Sequence, residues 1–217
     1  MKSQHGDFFN HDSQAERYDE NVLNEANPIR AGYDATLDWV IEQSGVTPTS
    51  PVLDLGCGTG NLSARLPIVK SLTCVDISEK MMMKAKGKLA HLNNIEFIQA
   101  DILPFVANTP QYDAIISTYT VHHLTEAEKT TFFRGVERCL KSGGRATFGD
   151  LMFANQASQD AFVAMYQAQG NIDMVEDIAE EFFWLIDKAE KTFNHLGLMT
   201  TVERFSDLSW GISAQKR

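Results

Sequence analysis

The chain has 217 residues and a formal net charge of −10, with an isoelectric point near 5.0. That length holds one domain with a full core and at most a small cap. The acidic balance, without a basic run, speaks against binding a phosphate backbone or an anionic membrane surface, and no apolar stretch reaches membrane-spanning length.

From the N-terminus, Met1 to Asn10 lacks the apolar run of a signal peptide. It is expected to fray, although Phe8 and Phe9 can pack. Ser13-Gln14-Ala15-Glu16 fits a capping box, so a short helix should carry Ala15 and Tyr18. Residues 28–44 predict a stronger helix with Pro28 near its start and Ile29, Tyr33, Leu37, Trp39, Val40 and Ile41 as its apolar stripe. Gly45 closes it, and residues 47–51 read as a linker.

From there strands and helices alternate. Residues 51–55 form a buried strand with Pro51 at its first position, where no ladder donor is needed. A short helix ends at Pro67, and residues 72–76 form a second strand. Ser78 caps a helix over 79–90, whose Met81, Met82, Ala85 and Leu89 face the core. Residues 95–100 and 112–117 are the third and fourth strands. Thr125 to Glu128 is another capping box, opening a helix to about Leu140. Ser142-Gly143-Gly144 stops that helix, and Arg145 to Gly149 is a fifth strand.

Such alternation means crossover connections and an α/β fold with a doubly wound, mostly parallel sheet. Residues 153–197 interrupt it with three helices, near 155–169, 172–183 and 185–196. Two further apolar runs, Met199 to Phe205 and Leu208 to Ala214, suit an antiparallel hairpin at the sheet edge. Cys57, Cys74 and Cys139 are odd in number and show no metal-ligand spacing. They read as small buried residues of a reducing, cytoplasmic protein.

The chemistry concentrates where the first strand ends. Asp54-Leu55-Gly56-Cys57-Gly58-Thr59-Gly60 places three alternate glycines at a strand-to-helix turn. Glycine permits positive φ there and leaves no Cβ to block a ligand. The spacing is G-x-G-x-G with an acid two residues before it, whereas the dinucleotide fingerprint is G-x-G-x-x-G. This pattern resembles the class I S-adenosylmethionine (SAM)-dependent methyltransferases, and that resemblance implies a seven-stranded Rossmann-like sheet. More narrowly, residues 30–34, 58–62, 117–119 and 122–129 resemble the YrrT-like bacterial methyltransferases. The resemblance implies one methyltransferase domain over 1–217, comprising an N-terminal helical cap (1–45), a SAM-binding core (51–150) and a helical insert (153–197).

Ligands of open α/β sheets lie outside the carboxyl ends of the strands, which selects the candidate residues. Gly56, Gly58 and Gly60 would let backbone approach the methionine tail, with Asp54 orienting the loop or meeting the ammonium. Asp76 ends the second strand, 20 residues beyond Gly56, where a carboxylate can accept both ribose hydroxyls; Ile77 would lie against the adenine. Ala100, Asp101 and Ile102 end the third strand, where the acid can accept from the adenine amino group and a backbone N–H can serve a ring nitrogen. Ser117 begins the loop expected near the sulfonium, and Tyr18 would close over the cofactor.

His122 and His123 are the catalytic candidates, as a base or as an acceptor contact; the alternative is a packing pair that holds the next helix. No metal is expected, because no further ligand cluster lies nearby in sequence. Within the insert, Phe162, Met165, Tyr166, Phe182, Phe183 and Trp184 would line an apolar acceptor pocket or else form plain core. Asp150 is a weaker candidate for facing the acceptor. The expected function is methyl transfer from SAM to a small molecule by a monomer or homodimer, leaving S-adenosylhomocysteine. No nucleic-acid or membrane partner is expected. A SAM-binding regulator without turnover, an RNA or protein methyltransferase, and an NAD-dependent oxidoreductase are the rival readings.

Overall fold

The computed structural model describes residues 2–6, 11–24 and 26–217. Phe8 and Phe9 lie outside them. The elements alternate as expected: α1 (Tyr18–Asn21), α2 (Tyr33–Gln43), β1 (Pro51–Leu55), β2 (Ser71–Asp76), α3 (Glu79–Lys88), β3 (Ile95–Gln99), α4 (Ile102–Phe105), β4 (Tyr112–Thr118), α5 (Glu126–Cys139) and β5 (Leu140–Phe153). There follow α6 (Gln156–Ala168), α7 (Ile172–Glu180), β6 (Trp184–Leu185), α8 (Ile186–His195), β7 (Leu198–Arg204) and β8 (Ser209–Lys216).

The sheet order is β3-β2-β1-β4-β5-β8-β7. Strands β1 to β5 pair in parallel, and β8 is antiparallel to both β5 and β7. The C-terminal hairpin therefore enters the sheet by its second arm, leaving β7 at the edge. The two-residue β6, unforeseen in the insert, pairs with the end of β5 and makes the eighth strand.

Strand alternation divides the core in two. Leu53, Leu55 and Ile115 face α4, α5 and α8, whereas Val52, Ala114 and Ile116 face α2, α3, α6 and α7. Phe132, Phe148, Phe193 and Trp184 fill the first layer, and burying each such side chain contributes roughly 2 kcal/mol or more. Trp184, Phe183 and Phe162 are thus core: Trp184 lies 5.2 Å from Phe133, Phe183 stacks on Phe153, and Phe162 packs on Phe153 and Tyr166.

Several boundaries differ from the sequence reading, each for a local reason. Helix α2 begins at Tyr33, five residues late, because Gly32 takes φ 79° with its Cα against Phe205. The Ser13 capping box does not form. Glu16 pairs with Lys84 instead, and helix geometry starts only at Tyr18. The segment before Pro67 is a single 3-10 turn, Ser63–Arg65. Strand β5 starts at Leu140 and runs through Gly143-Gly144 and on past Gly149 to Phe153, because β8 pairs with it as far as Leu151. The Thr125–Glu128 capping box forms as expected. All three cysteines are buried and unpaired. No helix among the described residues is long and apolar enough to cross a membrane.

Candidate active site

One cleft of about 700 Å³, counting its open mouth, lies at the carboxyl ends of β1, β2, β3 and β4. Its floor is built by the glycine turn. Gly56 and Cys57 both donate backbone N–H to Val75 O, at 2.8 and 3.0 Å, so the turn is hung on the end of β2. Gly56 has φ 72°, and a Cβ there would overlap the Thr120 side chain. A Cβ on Gly58 would meet no atom within 4 Å, so its backbone is open toward the cleft that it lines.

Asp76 closes the turn from the other side. Its Oδ2 accepts Gly58 N–H at 2.7 Å and its Oδ1 accepts Ser78 N–H at 2.8 Å. Burial pushes its pKa up, and those backbone donors oppose the rise. Each carboxylate oxygen keeps a lone pair that a ligand hydroxyl can use. Ile77, Ala100, Asp101 and Ile102 continue the wall. The Ala100 N–H is already given to Asp76 O, so it is not the donor expected for a ring nitrogen.

The sequence placed three residues in this site that the structure puts behind it. Asp54 is fully buried, accepts Ser63 Oγ at 2.5 Å and does not line the cleft. Burial raises its pKa to about 7, against the lowering bond from Ser63. Gly60 packs toward Ala85 of α3 and Leu89 just past its end, fixing the turn to that helix. Ser117 turns inward and donates to Leu55 O at 2.6 Å. All three support the floor from below.

The roof is the N-terminal arm, and most of it was missed. Ser3, Gly6, His11 and Tyr18 line the cleft. Ser3 donates from both N and Oγ to Asp101 Oδ2, at 2.6 and 2.7 Å, and Gln4 N donates to Glu128 at 2.6 Å. The expectation that residues 1–10 fray therefore fails for Ser3 and Gln4. Asp12 accepts from Ser78 Oγ and Lys80 N. Asp19 gathers Thr59 Oγ1, Asn61 Nδ2 and Lys88 Nζ, at 2.5, 3.1 and 2.8 Å. Burial tends to raise the Asp19 pKa, but these donors outweigh it and hold the pKa below the usual carboxylate value. No sequence spacing links Asp19 to Lys88, so no signal could have found that clamp.

Beyond the glycine turn, Tyr119 takes φ 49°, a left-handed conformation costing roughly 1–2 kcal/mol for a residue with a Cβ. Its N–H bond to Gly149 O and its stacking on Tyr33 hold it there. The reversal carries the chain from β4 into a 3-10 turn, Val121–His123. His123 lines the cleft, with Nε2 3.2 Å from Nε2 of His11. His122 lies beneath it, ring centroids 4.0 Å apart, and does not line the cleft.

Asp150 does not face the acceptor side either. It is 1% exposed and serves as a bracket: Oδ2 accepts Val121 N and His122 N, and Oδ1 accepts Leu151 N and bonds His122 Nδ1. Burial works against charge on His122, but Asp150 and Glu181 outweigh it and raise its pKa. For His123, burial and the neighbouring cations both act to lower the pKa, well below the ordinary value. The two adjacent histidines are thus electrically unlike.

Residues 52–144 match a family described as methyltransferase domain. A protein named "Uncharacterized methyltransferase" from Anoxybacillus flavithermus is 32% identical over 207 residues, 94% of each chain. A counterpart with the same name from Bacillus pumilus is 30% identical over 95% of each. Among solved structures, the DhpI-SAM-HEP complex superposes with a TM-score of 0.72 at 17% identity, covering 96% of this chain and 95% of that one. Magnesium protoporphyrin IX methyltransferase from Synechocystis PCC 6803, with bound SAH, gives 0.69 at 20% identity over 98% of each.

Proposed function

The chain belongs to this methyltransferase family, and we propose that its cleft binds SAM and directs the methyl group to a small-molecule acceptor. The observation that carries the reading is the Asp76 carboxylate, locked by Gly58 N–H and Ser78 N–H at the end of β2 with the Gly58 backbone open beside it. A rigid acid next to bare backbone suits a ribose diol that continues into a charged amino-acid tail.

The residues fit SAM in three parts. Asp76 would take the ribose hydroxyls. Gly56 and Gly58 would admit the methionine tail under Tyr18. Ile77 and Ile102 would flank the adenine, and Asp101 would accept its amino group while sharing Oδ2 with Ser3. Asp54, Gly60 and Ser117 act from behind by fixing the turn. SAM supplies an activated methyl on a sulfonium, so the protein has to align the acceptor and exclude water. The roof excludes the water, and His123 is the histidine placed to contact the acceptor, with His122 and Asp150 positioning it.

Two observations support a small acceptor over a macromolecule. The described residues of the arm line the cleft and bond to Asp101 at one end and Lys88 at the other, which narrows the access to it. The chain also carries a net charge of −10. The named substrate of one structural neighbour, magnesium protoporphyrin IX, is a small molecule as well.

The test is transfer from methyl-labelled SAM in a fractionated cell extract, with Asp76→Ala as control. Label entering the low-mass fraction, and absent with Asp76→Ala, is the expected result. Label in RNA or protein overturns the small-molecule reading.

A further inference from the structure

The sequence offers two adjacent histidines and no third ligand near them, but the fold supplies one from 58 residues further on. His122, His123 and Glu181 bring one ligand atom each within 4.8 Å of one another. Three features make this a built site. First, His122 Nδ1 is bonded to Asp150, which is itself held by three backbone N–H groups. A carboxylate on one ring nitrogen fixes the tautomer and aims the other, Nε2, as a ligand; metal-binding histidines usually have such a partner.

Second, Glu181 Oε2 is buried and has no hydrogen-bond partner among the described residues. It lies 3.5 Å from His122 Nε2. That is long for a direct bond, but it is close to the edge of a tetrahedron whose ion-to-ligand distances are about 2.0–2.2 Å. Third, the segment carrying Glu181 is pinned. Phe182 N donates to His122 O at 2.9 Å, and Phe182 O receives the buried Lys129 ammonium. The residue after the acid is therefore bonded at its N–H to the histidine turn and at its carbonyl to α5.

We propose that His122, His123 and Glu181 bind one divalent first-row transition ion, with zinc the best match, leaving a coordination position toward the cleft. Two imidazoles and one carboxylate form a donor set suited to zinc, and three protein ligands with an open fourth position characterise its catalytic sites. His123 lines the cleft, so an ion bound there stands on the acceptor side. An ion so placed would hold an acceptor thiol or hydroxyl and ease its deprotonation. That role rests on the methyl-transfer reading; the binding site does not.

The test is metal binding by the full-length protein, stripped with a chelator and titrated with Co²⁺, then with Zn²⁺ in competition. We expect one saturable Co²⁺ per chain, the intense visible absorption of a four-coordinate ion, and its bleaching by Zn²⁺. Glu181→Gln is nearly isosteric and should fold normally; its affinity should fall roughly tenfold or more. His195→Ala, at the exposed end of α8, should bind as the parent does. Absence of saturable uptake by the folded parent overturns the proposal, as does equal affinity in Glu181→Gln. Neither result depends on methyl transfer, so failure of this site and failure of the cofactor reading are told apart.

Discussion

The floor and the roof of the cleft are made by different physics. The floor hangs on strand ends: Gly56 and Cys57 are fixed by backbone bonds to β2, Gly58 by the Asp76 side chain that ends it, and the layer beneath is closed. The roof is laid over it by side-chain polar contacts at Ser3, Asp12 and Asp19, and only Ala15 and Val22 of the described residues 2–23 are apolar and buried. Apolar burial and strand pairing are insensitive to salt, whereas exposed ion pairs are screened by it. The floor should therefore set whether SAM binds, and the roof how firmly it is retained.

The largest expected effect is on the floor. Asp76→Ala removes the acceptor for Gly58 N–H and Ser78 N–H and, on the proposed reading, for the ribose diol as well. Hydrogen bonds to a charged group contribute about 1.5–3 kcal/mol each, so SAM affinity measured by calorimetry should drop at least roughly a hundredfold. Retention of half the parent's affinity would remove Asp76 from the cofactor site.

A second effect comes from below the floor. Asp54 has its pKa raised from 3.8 to about 7 by burial. The folded chain then keeps a proton that the unfolded chain loses above pH 4. The stability from this group is complete below that point and is lost as pH rises through 7. In chemical denaturation the parent should lose roughly 2–3 kcal/mol between pH 5 and pH 7 that Asp54→Asn does not. Parallel profiles for the two proteins would show that Asp54 is charged in the native state.

The same contrast explains what was legible in the sequence. Strand ends are local: the glycine turn, Asp76 and Asp101 follow from an apolar run meeting a turn, and the fold follows from the alternation. For Asp54 the sequence left loop support and ligand contact both open, and the inward turn of Ser117 was not legible, because a one-residue step along a strand turns a side chain to the opposite face. Asp19 with Lys88, and His122 with Glu181, were hidden for a different reason. Each pair joins segments whose approach depends on packing many residues away, and charge alone does not choose among the 29 acids. The aromatic residues of the insert stayed open between two readings, because helical spacing cannot tell a pocket wall from a core; Phe183 and Trp184 are core.

In the roof, Asp19 is the contact to break. It bonds Thr59, Asn61 and Lys88, and Lys88 in turn bonds Thr59 and Asn61. Asp19→Ala should weaken SAM binding about tenfold at low salt, equivalent to losing one charge-assisted hydrogen bond. Raising the salt should weaken the parent toward the variant while changing the variant little. If the two proteins respond to salt alike, the arm is held by something other than this clamp.

The smallest effect separates the clamp from the general charge of the arm. Glu16 pairs with Lys84 at 3.1 Å, only one turn of chain before Asp19, but its side chain is 87% exposed. Such a pair gains little Coulomb energy in water and must hold two long side chains still, so its net contribution is about 0–1 kcal/mol and commonly near the lower end. Glu16→Gln should leave SAM affinity within about twofold of the parent. If instead it matched Asp19→Ala, the roof would be held by the summed field between an acidic arm and the lysines of α3. Any acid in the arm would then serve, and the convergence of three donors on Asp19 would be incidental. If it is silent while Asp19→Ala is not, closure depends on one half-buried carboxylate that ties the arm directly to the glycine turn.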